Sequence, residues 1–181
     1  MEGMYGFRLL GLRVSRVALA LAIYIVISSL FMRQVLNLLE RNLGDTGISI
    51  GLWLLLGTGG LLCLFSLLRS SPTFLRTLLW LGIVATGTLY ASDMKIIEER
   101  LHLVKFGLLG WLVVRDNIDS HKDLLGPILS LLFCLLVAGI DEVFQWWLPH
   151  RVGDMRDILF AGVGATLGIS LFLTSLNPKS D

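Results

Sequence analysis

Runs of apolar residues constrain this chain more than any other feature of its sequence. Residues 124–140 (LLGPILSLLFCLLVAGI) and 158–173 (ILFAGVGATLGISLFL) contain no Asp, Glu, Lys or Arg. A bilayer's hydrocarbon core is about 30 Å thick, and a helix needs roughly 20 apolar residues to cross it. In lipid only helices and closed barrels satisfy their own backbone polar groups, and long Leu-rich runs select helices. The whole chain agrees: 55% of its residues are hydrophobic and 16% charged, with a mean hydropathy of +0.77. That is too apolar for an ordinary soluble domain. Membrane lipids are therefore the expected partners. A formal net charge of +1, without a concentrated basic patch, excludes nucleic acid. Cys63 and Cys134 each sit inside an apolar run, where a thiol packs as a small hydrophobe.

The expected fold is all-α, a polytopic transmembrane helix bundle of about six spans, at 14–32, 48–68, 77–92, 101–114, 124–142 and 157–176. Residues 1–92 hold three spans, 93–176 hold spans four to six with the polar motifs, and 177–181 form a short tail. After span one, Val35, Leu36, Leu38, Leu39 and Leu43 fall on one helical arc and Arg33, Asn37, Glu40 and Arg41 on the other. This is the pattern of an interfacial amphipathic helix, or else an extension of the first span. Arg8, Arg13 and Arg16 precede span one with no small-residue cleavage site after it, so the span is read as retained and the N-terminus as cytoplasmic. Lys and Arg then divide eight inside to seven outside, which leaves the orientation to the N-terminal arginines.

Polar chemistry concentrates in 141–157, DEVFQWWLPHRVGDMRD. Six spans put the ends of spans three and five and the starts of spans four and six on one membrane face, the outer one. That juxtaposition brings His102 and Lys105 near Glu142, Gln145, Arg151, Asp154 and Asp157. Asp141 and Glu142 lie four and three residues before Gln145, so they share a helix face with it. A histidine and a carboxylate at the edges of apolar spans need a partner or a cavity. Histidine exchanges protons near neutral pH, and a carboxyl group withdrawn from water holds its proton more tightly, so such a pair can perform acid–base work or relay protons.

Structural roles compete for the same residues. Asp154 and Asp157 are spaced as the N-cap and third position of a helix. Trp146 and Trp147 fit interfacial anchors, Arg151 and Arg156 fit headgroup contacts, and Asp141 fits the solvated end of span five. Gly164 and Gly168 have the spacing of close helix packing. No activated serine or cysteine nucleophile stands out. No CxxC or Cys/His pattern indicates zinc, and His102, Glu142 and Asp157 lack a recognisable ligand spacing, so no metal is expected and no cofactor is identified.

The run Asp141-Glu142-x-x-Gln145, then Pro149-x-Arg151-x-x-Asp154-x-x-Asp157, then Gly164 and Gly168 resembles the signature of the VanZ-like family of bacterial membrane proteins. Glu99-x-x-His102, followed by Phe106 and Leu109-Gly110, resembles that family's first motif. The resemblance covers 98–168. The chain departs from the family pattern at His150, where glycine is common, at Phe106, where a tyrosine is usual, at Ala161, where asparagine is usual, and at Lys105, often acidic. The resemblance implies a multi-pass protein of the bacterial plasma membrane and cell envelope, linked by the family's name to low-level resistance to the glycopeptide teicoplanin. From the same-face convergence, the candidate catalytic set is His102, Glu142, Gln145, Arg151 and Asp157, with Glu99, Lys105, Asp141 and Asp154 as candidate binding residues. Three functions stay open: an enzyme acting on a lipid-linked envelope precursor or other anionic group, a non-catalytic membrane factor working through its glycine-rich helices, and a proton-coupled permease or flippase.

Overall fold

The computed structural model describes residues 5–9, 11–69, 72–94, 96–118, 124–148 and 153–176, and at 5–9, 59, 62, 63 and 66 the backbone only. The chain begins with a feature absent from the expected fold. Strand β1 (Tyr5–Leu9) pairs antiparallel with β2 (Leu12–Ser15), joined through Gly11 at φ 88°, a left-handed conformation that glycine adopts without a Cβ clash. Leu12 and Val14 alternate inward and are buried. Ser15 ends the strand and caps helix α1 (Arg16–Ser28), its hydroxyl accepting the Ala18 N–H at 3.3 Å. The first apolar segment is thus entered as a strand, and helix begins only at Arg16. At 13 residues, α1 rises about 20 Å, too little to cross a bilayer alone.

After α1 the chain bends by 73° into α2 (Met32–Arg69). At the bend the Ser28 and Ser29 hydroxyls donate back to the carbonyls of Ile25 (2.8 Å) and Val26 (2.6 Å). Gly44, at φ 66°, kinks α2. The expected interfacial helix and second span are therefore two limbs of one element. Of the apolar arc in the first limb, Leu36 is buried while Val35, Leu38, Leu39 and Leu43 are exposed. The remaining helices are α3 (Phe74–Asp93), α4 (Ile97–Asn117), α5 (Leu125–Trp147) and α6 (Met155–Ser175).

Among the described residues α3, α5 and α6 are each long and apolar enough to cross a membrane, and the bent pair of α1 with 32–58 makes a fourth candidate. Three to four candidates stand beside the expected six. Part of the difference lies in 48–68, where the side chains of 59, 62, 63 and 66, Cys63 among them, are outside the described residues. The rest lies in α4, whose 21 residues include Glu98, Glu99, Arg100, Lys105, Arg115 and Asp116. Helix α4 carries these because it lies inside the bundle, packed by β2, α1, α5 and α6. Its Phe106, Leu109 and Val113 join Leu12, Val14 and Ile25 in the main core, with Cys134 of α5 and Ala165 of α6. Outward, Leu54, Leu61, Leu89, Leu132 and Leu159 are exposed, an apolar surface that suits lipid and not water.

Glycines set the closest approach in the bundle. A Cβ on Gly110 would lie 2.6 Å from the Ala165 carbonyl oxygen, and Cβ atoms on Gly164 and Gly168 would collide with the carbonyls of Leu103 and Gly107. Helices α4 and α6 therefore touch backbone to backbone, the small-residue packing expected of Gly164 and Gly168. Two arginines clasp helix ends. Arg76 of α3 donates to the Thr174 (3.0 Å) and Leu176 carbonyls at the end of α6. Arg100 of α4 donates to Ala91 (3.1 Å) and Met94 (2.6 Å) at the end of α3. Both satisfy carbonyls that a helix terminus leaves without an intrahelical partner and complement its dipole.

Candidate functional site

The site is built where α4 and α6 begin and α5 ends. Helix α5 delivers Asp141, Glu142 and Gln145 from one face, all three buried. Helix α4 delivers His102, 5% exposed, from its second turn. Helix α6 delivers Asp157 from its first turn. The His102 Nε2 atom lies 3.4 Å from Asp141 Oδ2, and Nδ1 lies 4.0 Å from Asp157 Oδ2. Nδ1 also sits 3.0 Å from the Glu98 carbonyl one turn back. The Phe106 ring lies one turn on, nearly parallel to the imidazole at a centroid distance of 6.2 Å.

Gln145 holds the two acidic neighbours apart. Its Nε2 donates to Asp141 Oδ2 at 3.2 Å and to Glu142 Oε1 at 3.4 Å. The second Glu142 oxygen accepts the Asp154 backbone N–H at 2.8 Å. Asp154 is the N-cap of α6, accepting the Arg156 N–H at 2.9 Å, as its spacing predicts. In a complete capping box the third helical residue returns to the cap's own N–H. Here Glu142 takes that N–H from the neighbouring helix, which leaves Asp157 facing His102. Arg156 pairs with Asp154 at 2.7 Å, and that hydrogen bond holds the Asp154 carboxyl below the usual carboxylate range.

His102, Glu142, Gln145 and Asp157 thus converge as the sequence predicts. Asp141, expected as a binding residue with the solvated end of span five as the competing role, is 1% exposed and stands at the centre, opposite the imidazole. The signal for it was present in its four-residue spacing to Gln145, which makes the two neighbours on α5. Glu99 and Lys105 are half-buried on α4, Glu99 in its first turn and Lys105 three residues past His102. Arg151, with Pro149 and His150, lies outside the described residues. Trp146 and Trp147 are exposed beside the site, as anchors should be, and the Trp146 indole N–H donates to the Gly153 carbonyl at 3.1 Å.

Donor atoms of His102, Asp141 and Glu142 all lie within 4.8 Å of one another. They come from two helices far apart in sequence, which is why no ligand spacing announces them. At the opposite end of α4 a second polar group had been read as loop. Asn117 exchanges hydrogen bonds with the Arg13 backbone, N–H to Oδ1 and Nδ2 to carbonyl, each 2.8 Å. Asp116 accepts the Ser15 N–H at 2.8 Å and pairs with Arg115 at 2.9 Å. This latch ties the hairpin to α4.

A bundle with an apolar exterior, hiding a histidine and three carboxylates at one end, is a helical membrane protein with a polar site at the edge of its spans. The chain belongs to the VanZ/LLP1 family, whose sequence profile matches residues 15–176. That match runs from the end of β2 to the end of α6, well beyond the motifs in 98–168. No curated protein and no solved structure matches the chain.

Proposed function

We propose that this protein acts on a lipid-linked or anionic component of the bacterial cell envelope at the outer face of the plasma membrane, with its N-terminus in the cytoplasm. The observation that carries the reading is a histidine set among Asp141, Glu142 and Asp157 and withdrawn from water. Ionisable groups at such depth are costly to keep without a task. In this reading His102 and Glu142 move protons with Asp157 beside the imidazole, Gln145 fixes the α5 carboxylates, and Arg151 receives the anionic group, with Glu99, Lys105 and Asp154 around the entrance. The open apolar face of α5, with Leu136, Ile140, Val143 and Trp147, suits contact with the acyl chain of a lipid-linked substrate. Helix α4 is taken to cross as well, since 21 residues rise about 32 Å.

Gly164 and Gly168, which a non-catalytic factor would offer to a partner, are occupied against α4, and this favours the enzymatic reading. The experiment is lipid and cell-wall-precursor profiling of a deletion strain complemented with wild type or Glu142→Gln. The variant is expected to insert normally yet leave the profile of the deletion strain. Full restoration by Glu142→Gln would end the catalytic reading.

A further inference from the structure

We infer that the cluster binds one divalent transition-metal ion, held by His102 Nε2, Asp141 and Glu142. The inference deepens the proposed function and rests on that reading of the cluster as the working site; with the ion bound, His102 and Glu142 would serve as its ligands and the proton-transfer role would pass to Asp157. Its test reads bound metal alone, so the failure of one is distinguishable from the failure of the other.

The His102 imidazole sets the geometry. Nδ1 lies 3.0 Å from the Glu98 carbonyl oxygen, which can only accept, so Nδ1 carries the hydrogen of that bond. Nε2 is then the atom turned into the cluster, buried and without a hydrogen-bond partner, 3.4 Å from Asp141 Oδ2. Asp141 Oδ1 is likewise buried and without a partner. Two unsatisfied polar atoms on opposing side chains, each nine-tenths buried or more, mark the place of something that bridges them. A proton on the imidazole offsets a single negative charge, and Asp141, Glu142 and Asp157 surround it. A divalent cation offsets two carboxylates at once.

The surroundings are those of a metal centre. Ligating histidines donate their other ring N–H to a carbonyl or carboxylate, and ligating carboxylates are themselves hydrogen-bonded. Here Glu98 takes the ring N–H, Gln145 donates to Asp141 and Glu142, and the Asp154 N–H holds the far oxygen of Glu142. One imidazole nitrogen with carboxylate oxygens and no thiolate suits Zn²⁺, Mn²⁺ or Fe²⁺ over Ca²⁺ or Cu⁺. Donor–metal distances of about 2.0–2.2 Å require the donor atoms, now within 4.8 Å of one another, to close by roughly an ångström. Side-chain rotation supplies that. Three protein ligands leave a position open for water or an anionic oxygen.

The test uses the full chain purified in detergent, stripped with a chelator and titrated with Zn²⁺ and separately with Mn²⁺. Wild type is expected to take up one ion per chain and to melt at a higher temperature when loaded. His102→Ala and Asp141→Asn are expected to weaken binding at least tenfold and to lose that rise. A His121→Gln/His150→Gln double variant is expected to bind as wild type does. Should the site variants fail to fold, nitrogen coupling to bound Mn²⁺ in the double variant, whose remaining histidine is His102, decides the matter. No stoichiometric uptake by wild type, undiminished binding in folded site variants, loss of binding in the double variant, or bound Mn²⁺ without nitrogen coupling each overturns the inference.

Discussion

Gln145 shows how much of this site depends on one amide. Its nitrogen donates to Asp141 Oδ2 and to Glu142 Oε1, the Glu142 oxygen that the Asp154 N–H does not reach. Leaving buried acceptors unsatisfied costs about 1–3 kcal/mol. Gln145→Leu is therefore expected to lower unfolding free energy by about that much in detergent; an unchanged melting temperature would mean that other donors hold the acids. Asp154 gives a pH-dependent expectation. Its carboxyl is held below the usual range by Arg156, so its contribution is complete above the unfolded value of about 3.9 and is lost as pH falls through the folded value. Asp154→Asn keeps a good N-cap and is expected to flatten the acid limb of the melting-temperature profile relative to wild type. At this scale His102, Glu142, Gln145 and Asp157 were legible from spacing and topology. Asp141 was legible as a neighbour of Gln145, but its burial against the imidazole was not, because a carboxylate that ends an apolar run looks solvated until the helix across from it is known.

Between elements, the α4–α6 contact is the least forgiving. Gly110 and Gly168 meet backbone atoms of the facing helix, whereas Gly57 on α2 meets nothing within 4 Å. Overpacking such a contact typically costs 1–3 kcal/mol, while Gly→Ala in an open helical position gains up to about 1 kcal/mol. Thermal unfolding of Gly168→Ala and Gly57→Ala should therefore shift in opposite directions. Equal shifts would show that the α4–α6 contact is not tight. The long runs that became α3, α5 and α6 were readable from hydropathy alone. The hairpin was not, since Leu12 and Val14 read equally well as the start of the following apolar run. Helix α4 was underestimated at both ends because its charges look like loop residues, although Asp116 and Asn117 are buried and answer the backbone of the hairpin.

For the whole molecule, the latch fixes which ends go together. Hydrogen bonds from Asn117 to Arg13 put the N-terminal hairpin at the C-terminal end of α4, and the His102 cluster occupies the other end. With α4 crossing the bilayer as proposed, a cytoplasmic N-terminus means an outward-facing site. Trp147 and Leu124 are exposed near opposite ends of α5. With Cys63 and Cys134 replaced by alanine, Trp147→Cys is expected to react with an impermeant maleimide in intact cells, and Leu124→Cys only after permeabilisation. The reverse pattern would move the site to the cytoplasm. The central place of α4 also sets a timetable for biosynthesis. Its glycine face is covered by α6, which emerges dozens of residues later; at about 5–20 residues per second that face waits seconds for its cover. A nascent chain released after α5 would leave Gly107 and Gly110 against lipid and the Asp154 N–H that Glu142 accepts unmade. Such a fragment is expected to be short-lived in the membrane, and supplying α6 as a separate peptide should lengthen its half-life in a pulse-chase.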